Sequence, residues 1–331
     1  MSAGIFENTF KPAWWLRDGH SQTLWRKFFP PTIIAHRRQR VELNDGDFID
    51  LDWAQQVEPE NSKDATIVVI QHGLCGCSGS PYVIALQSLL ASYGVASTAL
   101  NFRSCSGEIN RLAKTYHSGI SEDTHAVFNK LTEQFPRHKF IFIGYSLGAN
   151  VLLKWLGEIE RHPQLKKAVA VSTPFSLALC SGAMLRGVSR FYGDYFVRRL
   201  VQDVENKKRH LASNGNKDEW QRMEALGEVQ NIRSIWEFDD KVTAPLHGFK
   251  DAADYYEQCS SQRFIDAIKV DTLLIHSRND PMIPLAALPN RSGLPANVEL
   301  ELQNHGGHVG FISGNRDNWL EQRIMSFVLS D

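Results

Sequence analysis

The pentapeptide GYSLG, Gly144 to Gly148, sets a serine between two glycines, and a serine so placed can attack a carbonyl carbon if a base takes its proton. The run KFIFIG before it is strand-like and the run after it is helical, so the joining turn would lift the Ser146 hydroxyl off the end of a sheet. Glycines at 144 and 148 would let neighbouring elements pass without Cβ clashes. The N-terminus of the new helix would aim free N–H groups at the same point.

Attack on a carbonyl creates an oxyanion that needs preorganised donors. Upstream, QHGLCG closes another strand at His72 and Gly73, which leaves the N–H of Leu74 free to face the serine, and the N–H of Leu147 would be the second donor. His72 itself reads as structural.

The serine also requires an imidazole, and the imidazole a carboxylate to fix its tautomer. Asp280 ends the strand-like TLLIHSRND and precedes Pro281, an extended position at the rim of a sheet. The competing acids are Asp239 and Asp240 in WEFDDKVTAP, which read as structural residues of a helical region. Two histidines, His305 and His308, flank the glycine pair of QNHGGHVGF near the end of the chain. Folding back at Gly306 and Gly307 would present His308 to Ser146 and leave His305 to local hydrogen bonding. A metal reading would need His72 and His276 as further ligands, and no H-E-x-x-H or paired C-x-x-C spacing supports it.

The elements that must position these groups alternate. A hairpin, RVELN and FIDLDWAQ joined by DGD, leads to the strand ATIVVIQHGL, a helix over Pro81 to Ser92 and the strand GVASTALNF. A helix over Ser121 to Gln134, the strand KFIFIG, a helix over Gly148 to Glu160 and the strand KKAVAVSTP follow. Such alternation winds a mostly parallel sheet with helices on both faces, so the fold class is α/β. Between Pro174 and Ala267 the text turns helical and aromatic; it returns to strands at VDTLLIHSRND and NVELELQ and ends in a helix over Asn315 to Leu329. The expected organisation is an irregular N-terminal arm (1–40), a core (41–173 and 268–331) and a helical cap inserted at 174–267.

Lys and Arg number 36 against 37 Asp and Glu, a balance with no general field for nucleic acid or anionic lipid. Five scattered cysteines and no leader-like start point to reduced thiols in a cytoplasmic protein, and no apolar run is long enough to span a bilayer. Cys75, Cys77 and Cys105 read as small residues lining or underlying a pocket.

DGHSQTL (18–24), DGDFIDLDW (45–53), HGLCG (72–76), NFRSCSGEINR (101–111), YHSG (116–119), GYSLGANVLLKWLGE (144–158), FDDKVTAPLHGF (238–249) and GGHVGF (306–311) together resemble the YheT-like branch of the α/β-hydrolases, relatives of hydrolase-domain lipases and yeast ethanol acyltransferases. The resemblance extends over nearly the whole chain. It implies an eight-stranded sheet, the chain order Ser146, Asp280, His308 for a catalytic triad, and hydrolysis of esters with short- to medium-chain acyl groups. Ser104 departs from it, standing where the branch usually has Gly.

The expectation is therefore a serine esterase that needs no cofactor, takes a small-molecule ester and passes through an acyl-enzyme. Acyl transfer to an alcohol differs only in the acceptor; a silent hydrolase fold used for binding is a third reading, disfavoured by the intact Ser, Asp and His. In the cap, Phe196, Val197, Leu200, Val201 and Val204 form one helical stripe with Arg198 and Arg199 opposite. That stripe would pack on the body or line an acyl pocket, and its basic side could make transient contact with lipid headgroups.

Overall fold

The computed structural model describes residues 10–314 and 319–330. Among the described residues eight strands form one sheet, β1 (His36–Glu42), β2 (Phe48–Ala54), β3 (Thr66–Gln71), β4 (Ala96–Asn101), β5 (Lys139–Tyr145), β6 (Leu165–Val171), β7 (Asp271–Ser277) and β8 (Val298–Gln303), in the spatial order β1-β2-β4-β3-β5-β6-β7-β8. The β1–β2 and β2–β4 pairs are antiparallel and every other pair is parallel. The turn at DGD is wider than a two-residue hairpin. Leu43 N donates to Asp47 O and Gly46, at φ 87°, donates to Leu43 O.

Strand alternation explains the two apolar layers. On β5, Phe140 and Phe142 pack with Phe128 and Trp155 from the helices on one face. Ile141, Ile143 and Tyr145 pack with Leu86 and Ile324 on the other. The helices, in chain order, are α1 (Gly19–Phe28), α2 (Pro81–Ser92), α3 (Ser121–Gln134), α4 (Leu147–Glu158), α5 (Leu177–Ala183), α6 (Arg190–Ser213), α7 (Lys217–Glu224), α8 (Ile235–Phe238), α9 (Ala244–His247), α10 (Ala252–Cys259) and α11 (Trp319–Leu329). Residues 315–317, the expected start of the last helix, lie outside the described residues together with Asn318. None of the described helices is long and apolar enough to cross a membrane.

Helices α5 to α10 all lie between β6 and β7 in the chain, and Val197, Val204, Leu211, Met223 and Val229 form an apolar cluster there that also takes in Ala113 from the body. Lys207, 2 % exposed, ties α6 to the body by donating to Lys114 O at 2.7 Å.

Residues 19–28, expected as part of an irregular arm, are helical. Asp18 caps the helix by accepting from Ser21 N at 2.8 Å. Its buried positions are Gly19, Gln22 and Arg26, a stripe at helical spacing made of a glycine and two polar residues, whereas Phe28 and Phe29 are exposed. Hydrophobic periodicity therefore carried no trace of it.

Candidate active site

The glycines of GYSLG are required by close approach. A Cβ at Gly144 would lie 2.6 Å from Ala149 Cα, and one at Gly148 would lie 2.5 Å from His72 O. Both obstacles are backbone, so neither site accepts a side chain without moving β5, α4 or β3. Between them Ser146 adopts φ 52°, ψ −119°, a left-handed conformation that costs a non-glycine residue about 1–3 kcal/mol. Its N–H donates to Val171 O at 2.8 Å on the neighbouring strand, which helps hold the turn in that shape.

Ser146, Asp280 and His308 come from the carboxyl ends of β5, β7 and β8, where open α/β sheets gather ligand-facing groups. His308 Nε2 is 2.8 Å from Ser146 Oγ and His308 Nδ1 is 2.8 Å from Asp280 Oδ2. The other carboxylate oxygen of Asp280 accepts from Met282 N at 2.8 Å and Ile283 N at 3.1 Å. Burial alone would raise this carboxyl; the charge and hydrogen bond of His308 and the Met282 N–H hold it below the usual carboxylate value. The carboxylate can thus stay charged while fully enclosed.

The loop carrying His308 is clamped by α1 and by the ends of the strands. Thr23 Oγ1 accepts from His308 N at 2.8 Å, Asn279 Oδ1 accepts from Gly307 N at 3.0 Å, and Ser277 Oγ donates to Gly307 O at 2.7 Å. Gly307, at φ 60°, passes so close to α1 that a Cβ there would sit 2.4 Å from Gly19 O. Gln22 bridges the same two segments, donating to Leu16 O and Ile312 O and accepting from Ile312 N. DGHSQTL is therefore the brace of the histidine loop. His305 points elsewhere: it is partly exposed, and its Nδ1 is 3.0 Å from Arg17 O, 288 residues away in sequence.

Leu74 and Leu147 both border the cleft above Ser146, and among the described residues neither N–H has a hydrogen-bond partner. The residues on either side of Leu74 are pinned by side chains that sequence reasoning missed. Tyr82 OH accepts from Gly73 N and Tyr116 OH accepts from Cys75 N, each at 2.9 Å. Tyr116 lay in a motif, YHSG, and could have been suspected; Tyr82 carried no signal. His72 is buried and structural: Nδ1 donates to Gly73 O, Nε2 accepts from Phe102 N, and burial lowers its pKa to about 4. His276 is equally buried, also lowered to about 4, and among the described residues neither ring nitrogen has a hydrogen-bond partner.

An alpha/beta hydrolase fold family model matches residues 66–315. The chain belongs to this family. The α/β hydrolase is 37% identical to "Putative esterase YheT" of Escherichia coli (strain K12), over 93% of this chain and 89% of that protein. It is 27% identical to "Phospholipase ABHD3" of Bos taurus, over 98% of this chain and 79% of that protein. In fold it is similar to the Pyrococcus furiosus esterase Pf2001, with a TM-score of 0.56 at 17% identity, covering 90% of this chain and 98% of that one.

In this α/β hydrolase the cleft over Ser146 is small, about 80 Å³. Its walls are mostly apolar, with Leu177, Met184, Phe196, Ile235, Met282 and Ile283 among them. Asp239, expected as a purely structural acid, also borders this cleft. Its neighbour Asp240 accepts from Ala252 N at 3.0 Å, a tie between helical turns. The five cysteines are all free thiols.

Proposed function

We propose that this α/β hydrolase is a serine carboxylic-ester hydrolase working through an acyl-enzyme. The observation that carries the reading is the unbroken chain Asp280–His308–Ser146, with two contacts of 2.8 Å. His308 takes the Ser146 proton at Nε2 as Oγ attacks the ester carbonyl, and Asp280 stabilises the imidazolium through Nδ1. The N–H groups of Leu74 and Leu147 receive the oxyanion. His308 then returns its proton to the departing alkoxide, and a water, deprotonated by the same nitrogen, releases the acid and restores Ser146.

The segment 174–267 acts as a cap that supplies Met184, Phe196 and Ile235 to the cleft. Drug-sized ligand sites run from about 300 Å³ upward, so a cleft of about 80 Å³ favours the short end of the short- to medium-chain esters. The exposed Arg198 and Arg199 on α6 support transient contact with a lipid surface, and five free thiols fit the reducing cytoplasm.

The test is a p-nitrophenyl ester series of increasing acyl length, with product analysis in the presence of ethanol. Turnover highest for short chains, with the free acid as main product, is expected. A predominant ethyl ester would make the chain an acyltransferase, and no turnover of any ester would overturn the proposal.

A further inference from the structure

The mostly apolar cleft is also lined by polar groups that the triad does not use. Asp239 begins a π-helical turn, Asp239–Thr243, a distortion that often marks functional positions. Its two oxygens accept from Thr243 Oγ1 at 2.6 Å and from Tyr256 OH at 2.7 Å, and Asp239 and Tyr256 both border the cleft. No ion pair neutralises it among the described residues, and burial raises its carboxyl to about 6. The residue is nevertheless only partly buried by area, because one side of it faces the cleft.

Ser181, from α5, is another such group. It is 4 % exposed and borders the cleft; its Oγ sits beside the Tyr256 hydroxyl, and among the described residues it makes no well-formed hydrogen bond. A buried hydroxyl left without a partner costs about 1–3 kcal/mol. A tie that merely joined the π-turn to α10 would need Asp239 and Tyr256 but not Ser181 beside them, and would leave the carboxylate turned towards an apolar space.

We propose that Asp239, with Tyr256 and Ser181, forms a subsite that selects esters carrying a free hydroxyl group close to the scissile bond. The proposal rests on the esterase reading of Ser146 and names the substrate class for that site. A carboxylate with spare lone pairs accepts from the substrate hydroxyl, and the hydroxyl oxygen remains an acceptor for Ser181. A neutral donor suits this place better than an ammonium. The carboxylate already sits among neutral O–H donors, and a cation would lose several kcal/mol of hydration on entering so apolar a cleft.

The hydroxyl could belong to either half of the ester, and two substrate pairs separate the sources. 1-Monobutyrin against propyl butyrate places it in the alcohol; ethyl 4-hydroxybutyrate against ethyl butyrate places it in the acyl group. The readout is the ratio of kcat/KM for the hydroxylated member over its plain counterpart. Wild type is expected to show a ratio of about ten or more in one pair, the size of a hydrogen bond to a charged group. Asp239→Asn should lower that ratio about tenfold. Ser181→Ala, which leaves the hydrogen bond from Tyr256 to Asp239 in place, should lower it severalfold. Ratios near one in both pairs for wild type, or equal losses on both members in both variants, would overturn the subsite while leaving the esterase reading intact. A butyrylcholine preference over monobutyrin would overturn it too. Failure of wild type to hydrolyse any of these esters would instead overturn the esterase reading, and the subsite with it.

Discussion

Gly148, in the first turn of α4, faces the carbonyl oxygen of His72 so closely that a Cβ would lie 2.5 Å from it. The contact brings together the two segments that carry the proposed oxyanion donors, because Leu147 precedes Gly148 and Leu74 follows His72 by two residues. Gly148→Ala must push these backbones apart. The expected cost is about 1–3 kcal/mol of stability and at least a tenfold loss of kcat. Urea unfolding and ester kinetics on the same preparation check both; an alanine enzyme with wild-type stability and rate would contradict the packing argument.

The two histidines of QNHGGHVGF should separate cleanly. His308→Ala removes the group between Ser146 and Asp280 and should lower kcat by roughly four orders of magnitude. His305→Ala removes only a contact to Arg17 O and should stay within about threefold of wild type, a change comparable with an ordinary surface substitution. Circular dichroism on both variants distinguishes lost chemistry from lost folding.

Tyr116→Phe tests the proposed donor at Leu74 without touching it. The change strips the partner from Cys75 N–H and loosens the loop that presents Leu74. Since deletion of a whole oxyanion donor costs about a hundredfold or more, misplacing one should cost about tenfold, in kcat rather than KM. A pure KM effect would mean the loop serves binding alone.

Acid should weaken the fold in a defined window. Burial lowers His72 to about 4, His117 to about 3, His247 to about 2 and His276 to about 4, against about 6.5 when unfolded. Below pH 6.5 the unfolded chain binds protons that these folded histidines refuse, so stability falls as pH drops from about 6.5 towards 4. Asp239, raised to about 6, works in the opposite direction over the same range. Burial also raises the carboxyls of Asp123 and Asp203, which act in the same sense as Asp239, so the uptake on unfolding is at most about three protons, a slope of at most about 4 kcal/mol per pH unit. Urea midpoints at pH 7, 6 and 5 measure it. His276→Leu, removing a ring whose nitrogens have no hydrogen-bond partner among the described residues, should make the slope shallower by about one proton.

Much of the site was legible because its parts sit where two kinds of pattern meet. Ser146 lies between a strand-like run and a helical one, and Asp280 follows a strand-like run, three residues beyond the end of β7, and precedes a proline; local spacing exposes both. The choice of His308 over His305 depended on how Gly306 and Gly307 would bend, which the packing of Gly307 against Gly19 O makes concrete. Less visible was whatever depends on partners distant in sequence. The helix at 19–28 buries Gln22 and Arg26 rather than an apolar stripe, so its role as brace of residues 306–312 had no periodic signature. Asp239 reads in sequence as one of two adjacent acids, and only the packing of α5, α10 and the π-turn separates the one at the cleft from the one tied to Ala252.

Active-site labelling tests whether Ser146 is the nucleophile. A fluorophosphonate probe should attach to the peptide containing Ser146, in step with loss of ester turnover. Ser146→Ala, folded by circular dichroism, should neither label there nor hydrolyse p-nitrophenyl butyrate above background. Stoichiometric labelling of another residue, or undiminished hydrolysis by Ser146→Ala, would rule Ser146 out as the nucleophile.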